Sequence, residues 1–121
     1  ILKRYFSNLP GGIVHCFTGS KSELLSFLDL GLHIGITGWV CDERRGTELN
    51  SLLKFIPKDR LIIETDAPYL MPRNLKSKTK HNINTPMNLP HIAEHIANVR
   101  GESAIEMAEY TTENFKKLFT L

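Results

Sequence analysis

Short apolar segments alternate with amphipathic segments through the first half of the chain, and this order restricts the folds open to it. The apolar segments predict strands at 13–17, 32–37 and 61–65. The amphipathic segments between them predict helices at 20–31 and 47–57. Continuous apolar strands separated by helices are typical of parallel strands that are buried on both faces. We therefore expect an α/β fold with helices outside a parallel sheet.

Local signals predict where the helices begin and which residues they bury. Ser20 and Glu23 form a predicted capping box, and Gly31 is expected to end that helix in the left-handed conformation. Ser103 and Glu106 predict a second capping box at the start of the last helix. In the two carboxyl-terminal helices we expect the apolar side chains to face the core: Leu89, Ile92, Ile96, Val99, Phe115, Leu118 and Phe119.

Size and composition indicate one compact globular domain. The chain has 121 residues, of which 41% are hydrophobic and 23% charged, as in ordinary globular proteins. No apolar run approaches the roughly 20 residues of a membrane-spanning helix, and no signal segment opens the chain. Cys16 and Cys41 suggest unpaired thiols, so we expect a cytoplasmic protein. Because Ile1 rather than Met comes first, we expect a chain processed or incomplete at its amino end.

Polar residues lie at or just beyond the carboxyl end of each predicted strand, at the edge where parallel strands end together. These are His15, the segment 37–39 and the acids Glu64 and Asp66. The carboxyl ends of parallel strands carry the binding site in α/β folds. An imidazole and a carboxylate are common ligands of divalent ions, so His15 and Asp66 are a candidate metal-binding pair. The alternatives are a half-buried, hydrogen-bonded histidine and a carboxylate that caps a helix or pairs with arginine.

Several neighbours of this edge could bind a substrate. Glu64 could orient a ligand, accept a proton or hydrogen-bond locally. Arg45 could hold a phosphate through two hydrogen bonds, although pairing within its own acidic and basic loop is the alternative. Trp39 and Tyr69 could stack on bases or simply line the wall.

A basic segment without acidic residues follows the third strand. Between residues 67 and 93 there is no Asp or Glu, whereas Arg73, Lys76, Lys78 and Lys80 lie within that span. Such a segment either faces an anion, such as a phosphate, or is simply solvated. His81 belongs to the same segment and could contact phosphate. His91 and His95 have the i, i+4 spacing of metal ligands, but an ordinary exposed helix face is the preferred interpretation.

Four ordered segments together resemble the TatD family of metal-dependent deoxyribonucleases. The segments are VHCFTG at 14–19, IGITGW at 34–39, IETDAPYL at 63–70 and TTENF at 111–115. The resemblance implies a TIM-barrel-type metal-dependent hydrolase that cleaves phosphodiester bonds in DNA, with Mg²⁺ as the usual cofactor. It also implies that His15 and Asp66 ligate metal. In the complete enzyme we expect Asp66 to be catalytic by also holding the attacking water, and Glu64, Arg45 and Arg73 to bind the substrate.

The resemblance is incomplete in two respects. The chain has Asn84-Thr85-Pro86 where family members usually have Asn-Glu-Pro. It also lacks the family's HxH pair and the further Glu and His ligands of the amino-terminal half. Because a full barrel has about 250 residues, residues 1–121 are expected to be the carboxyl-terminal half of a barrel.

A half-barrel has unpaired strand edges, so we expect it to associate with the missing half or with itself. We also expect little or no nuclease activity from the chain alone. Two alternatives are a non-catalytic module that binds itself or a partner, and a metal-dependent hydrolase of another substrate.

Overall fold

A computed structural model describes residues 2–76 and 83–121. The strands in this part of the chain are β1 (Ile13–Val14), β2 (His33–Ile36) and β3 (Leu61–Ile63). The α-helices are α1 (Leu2–Tyr5), α2 (Lys21–Asp29), α3 (Thr47–Leu52), α4 (Leu89–Arg100) and α5 (Ala104–Phe119). Single 3₁₀ turns lie at Phe6–Asn8, Gly38–Cys41, Leu53–Phe55, Lys58–Arg60 and Pro86–Asn88. No helix in the described ranges is both long and apolar enough to cross a membrane.

The strands form a parallel sheet in the order β1-β2-β3, which confirms the predicted α/β arrangement. Each strand is shorter than predicted, because the chain leaves the sheet at the polar residues. After β1, Cys16 adopts a positive φ of 48° that no strand accommodates. After β2, the Thr37 hydroxyl accepts a hydrogen bond from the Trp39 amide and starts a 3₁₀ turn. The strand ends, where the candidate residues lie, are therefore irregular backbone.

One of the two predicted capping boxes is present. The Ser20 amide donates to Glu23 Oε2 at 2.7 Å, and the Glu23 amide donates to Ser20 Oγ at 3.4 Å. The second prediction was wrong, because Ser103 makes no side-chain capping bond. Glu106 instead pairs with Lys58, whose Nζ lies 2.5 Å from Glu106 Oε1. The carboxylate thus takes an ammonium partner that is distant in sequence.

The core lies between the sheet and the helices that pack on it, and it contains buried side chains of α2, α3, α4 and α5. Its fully buried side chains include Ile34 and Ile36 of β2, Leu61 of β3, and Ile92 and Ile96 of α4. The predicted inward positions of four other residues were wrong, since these side chains are substantially exposed: Leu89, Val99, Phe115 and Phe119.

A different face of α5 packs inward. It buries Met107, Thr111 and Asn114. Asn114 Nδ2 donates to the carbonyls of Lys58 and Leu61, at 2.6 and 2.9 Å, and so ties this face to the start of β3. A residue spacing alone does not show which helix face makes such a contact.

An apolar groove runs beside β3. It is lined by Ile63 of the strand, Ala93 of α4 and Phe115 of α5, among others. In the described part of the chain, the outer edges of β1 and β3 have no strand partner. The open edge and the groove both involve β3, so β3 and its two helices present apolar surface that the described residues leave uncovered.

Candidate functional site

Three polar side chains meet at the carboxyl ends of β1 and β3. His15 follows β1, and Glu64 and Asp66 follow β3. His15 Nδ1 lies 2.5 Å from Glu64 Oε2, and His15 Nε2 lies 3.2 Å from Asp66 Oδ1. Each ring nitrogen therefore faces one carboxylate.

Gly35 allows this convergence across the intervening strand β2. A Cβ atom built on Gly35 would overlap Glu64 Oε1, so the carboxylate can lie over β2 only because residue 35 has no side chain. The Cys16 amide donates to the same oxygen at 2.9 Å. Two groups from the end of β1 therefore hold Glu64. Sequence reasoning missed Gly35, although a glycine inside a predicted strand is a known signal of close approach.

The contacts of His15 place Nε2 opposite the Asp66 carboxylate. If Nδ1–H donates to Glu64, a neutral ring directs its Nε2 lone pair toward the Asp66 carboxylate. Two acceptors that face each other need a proton or a metal ion between them. The hydrogen bond to Glu64 is the main cause that raises the pKa of His15, which favours the doubly protonated ring when no metal is bound.

The same geometry fits a divalent ion. Two ligands at metal distances of about 2.0–2.2 Å lie about 3 Å apart when they are adjacent on one ion. The separation of 3.2 Å between His15 Nε2 and Asp66 Oδ1 fits this arrangement. Glu64 then has the role of an outer carboxylate that fixes the ring orientation of a ligating histidine. Among the described residues, no group of three or more His, Cys, Asp or Glu side chains is placed to hold a metal ion.

The backbone on both sides of this site is held in sparsely populated conformations. Cys16, Asp66 and Leu70 have φ values of 48°, 55° and 52°. Non-glycine residues in this region cluster at functional sites, where the surrounding structure must stabilise them. Cys16 is only partly buried, with Sγ 3.5 Å from Thr37 Oγ1, whereas Cys41 is buried.

The two arginines considered for substrate binding, Arg45 and Arg73, are exposed. Arg73 connects the segment after β3 with the loop after β2, since its guanidinium lies 3.6 Å from Asp42 Oδ1 and 3.5 Å from Glu43 Oε1. The Arg44 guanidinium also binds Asp42 and lowers the pKa of that carboxyl to about 2. Arg45 has a different partner: its guanidinium lies over the Trp39 ring, 5.7 Å from the centroid. Lys78, Lys80 and His81 lie outside the described residues.

The histidine pair on α4 has hydrogen-bond partners of its own. His91 Nε2 lies 2.6 Å from Asn74 Oδ1, and His95 Nδ1 lies 3.3 Å from Asn74 Nδ2. His95 Nε2 lies 3.1 Å from Asn50 Oδ1, and burial lowers the pKa of this histidine. The pair thus connects α4 with Asn74 in the segment after β3 and with Asn50 in α3.

The chain is similar to known nucleases over nearly its whole length. The family model for TatD related DNases matches residues 1–120. A 3'-5' ssDNA/RNA exonuclease TatD from Rahnella sp. is 56% identical over 121 residues, which are 100% of this chain and 46% of the relative. The protein of the same name from Salmonella typhimurium is 54% identical over 119 residues, 98% of this chain and 46% of the relative. The chain therefore spans about half the length of the curated relatives it matches.

Solved structures show the same fold. A TatD homolog from Escherichia coli superposes with a TM-score of 0.83 at 28% sequence identity. The superposition covers 99% of this chain and 44% of the homolog's chain. A TatD family hydrolase from Entamoeba histolytica superposes with a TM-score of 0.81 at 27% sequence identity. This superposition covers 97% of this chain and 45% of the hydrolase's chain. The three parallel strands and their helices are thus part of a TIM-barrel-type hydrolase fold, as predicted.

Proposed function

The chain belongs to the family of TatD related DNases, and from this membership we propose that it is the carboxyl-terminal half of a metal-dependent nuclease barrel. In this proposal residues 1–121 form a single half-barrel, and an amino-terminal half supplies the remaining ligands. The substrate is DNA, cleaved at its phosphodiester bonds, and the relatives' names extend the candidate substrates to single-stranded DNA and RNA. The observation that carries the proposal is the placement of His15 between Glu64 and Asp66.

The proposal assigns a role to each residue of the site. His15 and Asp66 bind a divalent ion, Mg²⁺ in this proposal, and Glu64 keeps the proton of the neutral ring on Nδ1. A bound divalent ion lowers the pKa of water and neutralises charge on a phosphoryl oxygen. Asp66 is also catalytic, because a carboxylate oxygen that is not engaged by His15 can accept a hydrogen bond from the attacking water and orient it.

The residues around the site offer contacts for a nucleic acid. Arg45 and Arg73 are exposed and can donate to phosphate oxygens, although Arg73 would first have to leave Asp42 and Glu43. Tyr69 is 72% exposed and lies in the segment that carries Asp66, where its ring could stack on a base.

A chimeric barrel tests the function directly. The amino-terminal part of the Rahnella relative that precedes the matched region is joined to residues 1–121 of this chain. We expect this chimeric barrel to shorten labelled single-stranded DNA and RNA in Mg²⁺ and to stop when a chelator is added. Cleavage of small esters or amides without cleavage of nucleic acid would instead support a hydrolase of another substrate.

The isolated chain is expected to release no more product than a buffer control. The reason is that its described residues contribute two metal ligands and no cluster of three. The assay is the one used for the chimeric barrel, at equal molar concentration. Robust magnesium-dependent cleavage by the isolated chain, lost in His15→Ala, would contradict this prediction.

The exposed edge of β3 and the groove beside it favour one further candidate, a non-catalytic module that binds itself or a partner. Gel filtration of the isolated chain separates the possibilities. A tight dimer that cleaves nothing, together with an inactive chimeric barrel, would favour the module. A cytoplasmic location is a further proposal, supported by the two unpaired thiols and testable by cell fractionation.

Replacement of Gly35 by alanine is expected to weaken metal binding about tenfold or more, because the new methyl group must displace the Glu64 carboxylate from His15. The overlap should also lower the free energy of unfolding by about 1–3 kcal/mol. Calorimetric titration of the chimeric barrel with Mg²⁺ measures the first effect and urea unfolding the second.

Gly12→Ala is the matched control for this variant. Its added methyl group would lie 2.7 Å from Leu32 Cδ2, at the end of a flexible side chain, and in ordinary contact with Phe6 Cε2 at 3.7 Å. Equal losses of metal affinity in the two variants would show that Glu64 does not position His15.

A further inference from the structure

Asn84 is the hydrogen-bonding centre of the segment that carries Asp66. Its side chain is 2% exposed. Its Nδ2 donates to the carbonyl of Thr65 at 2.6 Å and of Tyr69 at 2.7 Å, with the carbonyl of Leu70 at 3.3 Å. Its backbone amide donates to the carbonyl of Pro68 at 3.0 Å. One buried residue therefore binds carbonyl groups on both sides of Asp66.

The orientation of the Asn84 amide follows from its other partners. The backbone amide of Thr85 donates to Asn84 Oδ1 at 2.9 Å, and Asn88 Nδ2 lies 2.8 Å from the same oxygen. A backbone N–H can only donate, so this side of the amide must be the oxygen. The NH₂ group then faces the carbonyls, where it is the donor they require.

The segment from Thr65 to Leu70 needs such support. It contains no helix or strand, and both Asp66 and Leu70 have positive φ values. Within the segment, a turn forms in which the Tyr69 amide donates a hydrogen bond to the Asp66 carbonyl at 2.9 Å. Left-handed non-glycine residues persist only where the surroundings stabilise them. Asn84 supplies that stabilisation from outside the segment.

We propose that Asn84 is a positioning residue for Asp66: by holding the carbonyls of Thr65 and Tyr69 it keeps the carboxylate of Asp66 beside His15 Nε2. The role of Asp66 as a ligand rests on the proposed function. The constraint on the backbone of Asp66 rests on the hydrogen bonds alone. Asn84 does not touch the metal or the substrate, so its effect must pass through Asp66.

The test compares Asn84→Asp with a matched variant, Asn114→Asp, in the chimeric barrel. Asn114 is also buried and its Nδ2 also donates to two carbonyls, but these lie at the opposite end of β3. Both replacements remove the donors and place a carboxylate oxygen against carbonyls, so both should lower Tm. Only Asn84→Asp should weaken Mg²⁺ binding, by about 10- to 100-fold in calorimetric titration. Its kcat should recover as the Mg²⁺ concentration rises.

Hydrogen exchange without metal provides a second measurement. The Tyr69 amide should exchange faster in Asn84→Asp than in Asn114→Asp at equal distance from Tm. If Asn84→Asp does not fold, Asn84→Ser is used, since its hydroxyl can serve one carbonyl without adding charge. This variant should give an intermediate loss of Mg²⁺ affinity.

Unchanged Mg²⁺ affinity in the Asn84 variants, or an equal loss in Asn114→Asp, would overturn the inference. If the unsubstituted chimeric barrel neither binds Mg²⁺ nor cleaves nucleic acid, the proposed function fails. In that case the hydrogen exchange of the Tyr69 amide still decides whether Asn84 holds the segment from Thr65 to Leu70. Equal exchange in the two variants would then overturn the positioning role.

Discussion

Asp66→Asn is expected to lower kcat of the chimeric barrel by more than about a hundredfold, a larger loss than outer-shell changes usually cause. Asparagine keeps the size and one oxygen of aspartate but removes the charge that faces His15 Nε2, 3.2 Å away. Both proposed roles of Asp66, metal binding and orientation of water, depend on that charge. Steady-state cleavage of saturating labelled single-stranded DNA measures kcat, and calorimetry measures Mg²⁺ affinity in parallel.

The matched control is Asp59→Asn. Asp59 is exposed, pairs with Arg60 and precedes β3, at the end of the strand away from the site. The same chemical change there should alter kcat less than about twofold, because exposed ion pairs contribute little. A fall of less than about tenfold in Asp66→Asn would contradict the assignment of Asp66 as a catalytic metal ligand.

Arg100→Ala is expected to lower the free energy of unfolding by about 3–5 kcal/mol, the usual cost of removing one partner of a buried ion pair. The Arg100 side chain is 7% exposed and lies 2.9 Å from Glu102 Oε1. It also donates to the carbonyls of Leu53 and Ile56, at 2.5 and 2.7 Å. Among the described residues, alanine would leave the Glu102 carboxylate with the Tyr110 hydroxyl as its hydrogen-bond donor, at 2.8 Å, and with the more distant Lys58 charge.

Urea unfolding of the chimeric barrel measures this loss, and Arg60→Ala is its control. Arg60 pairs with the exposed Asp59, and such a pair contributes roughly 0–1 kcal/mol. Similar losses in the two variants would show that the Arg100 contacts do not stabilise the fold.

The pH dependence of stability should also report on the ion pair between Arg100 and Glu102. Burial raises the pKa of Glu102, but hydrogen bonds from Arg100 and Tyr110 outweigh it, so the pKa lies below its ordinary value. A group whose pKa is lower in the folded state adds stability above its unfolded pKa of about 4.3 and loses it as the pH falls. The free energy of unfolding should therefore fall less steeply between about pH 6 and pH 3 in Arg100→Ala than in the unsubstituted protein.

Local sequence predicted the elements but not all of their faces. The capping box at Ser20 and the glycine after α2 depend on residues within a few positions of each other, and both are present. The inward face of α5 depends on a hydrogen bond from Asn114 to a strand more than 50 residues away, at Leu61. Periodicity carries no information about such a partner, so the predictions for Phe115 and Phe119 were wrong.

In the candidate site, too, the sequence predicted some features and the tertiary structure decided others. Sequence alone determined that His15, Glu64 and Asp66 follow strands of one parallel sheet, because parallel strands necessarily end at a common edge. Only the tertiary structure decided which carboxylate faces which ring nitrogen, since Glu64 reaches Nδ1 across Gly35. It also brought Asn84 into hydrogen-bonding contact with the carbonyls of Thr65 and Tyr69, on either side of Asp66. These contacts join residues that are distant along the chain, and their geometry exists only after the strands have packed.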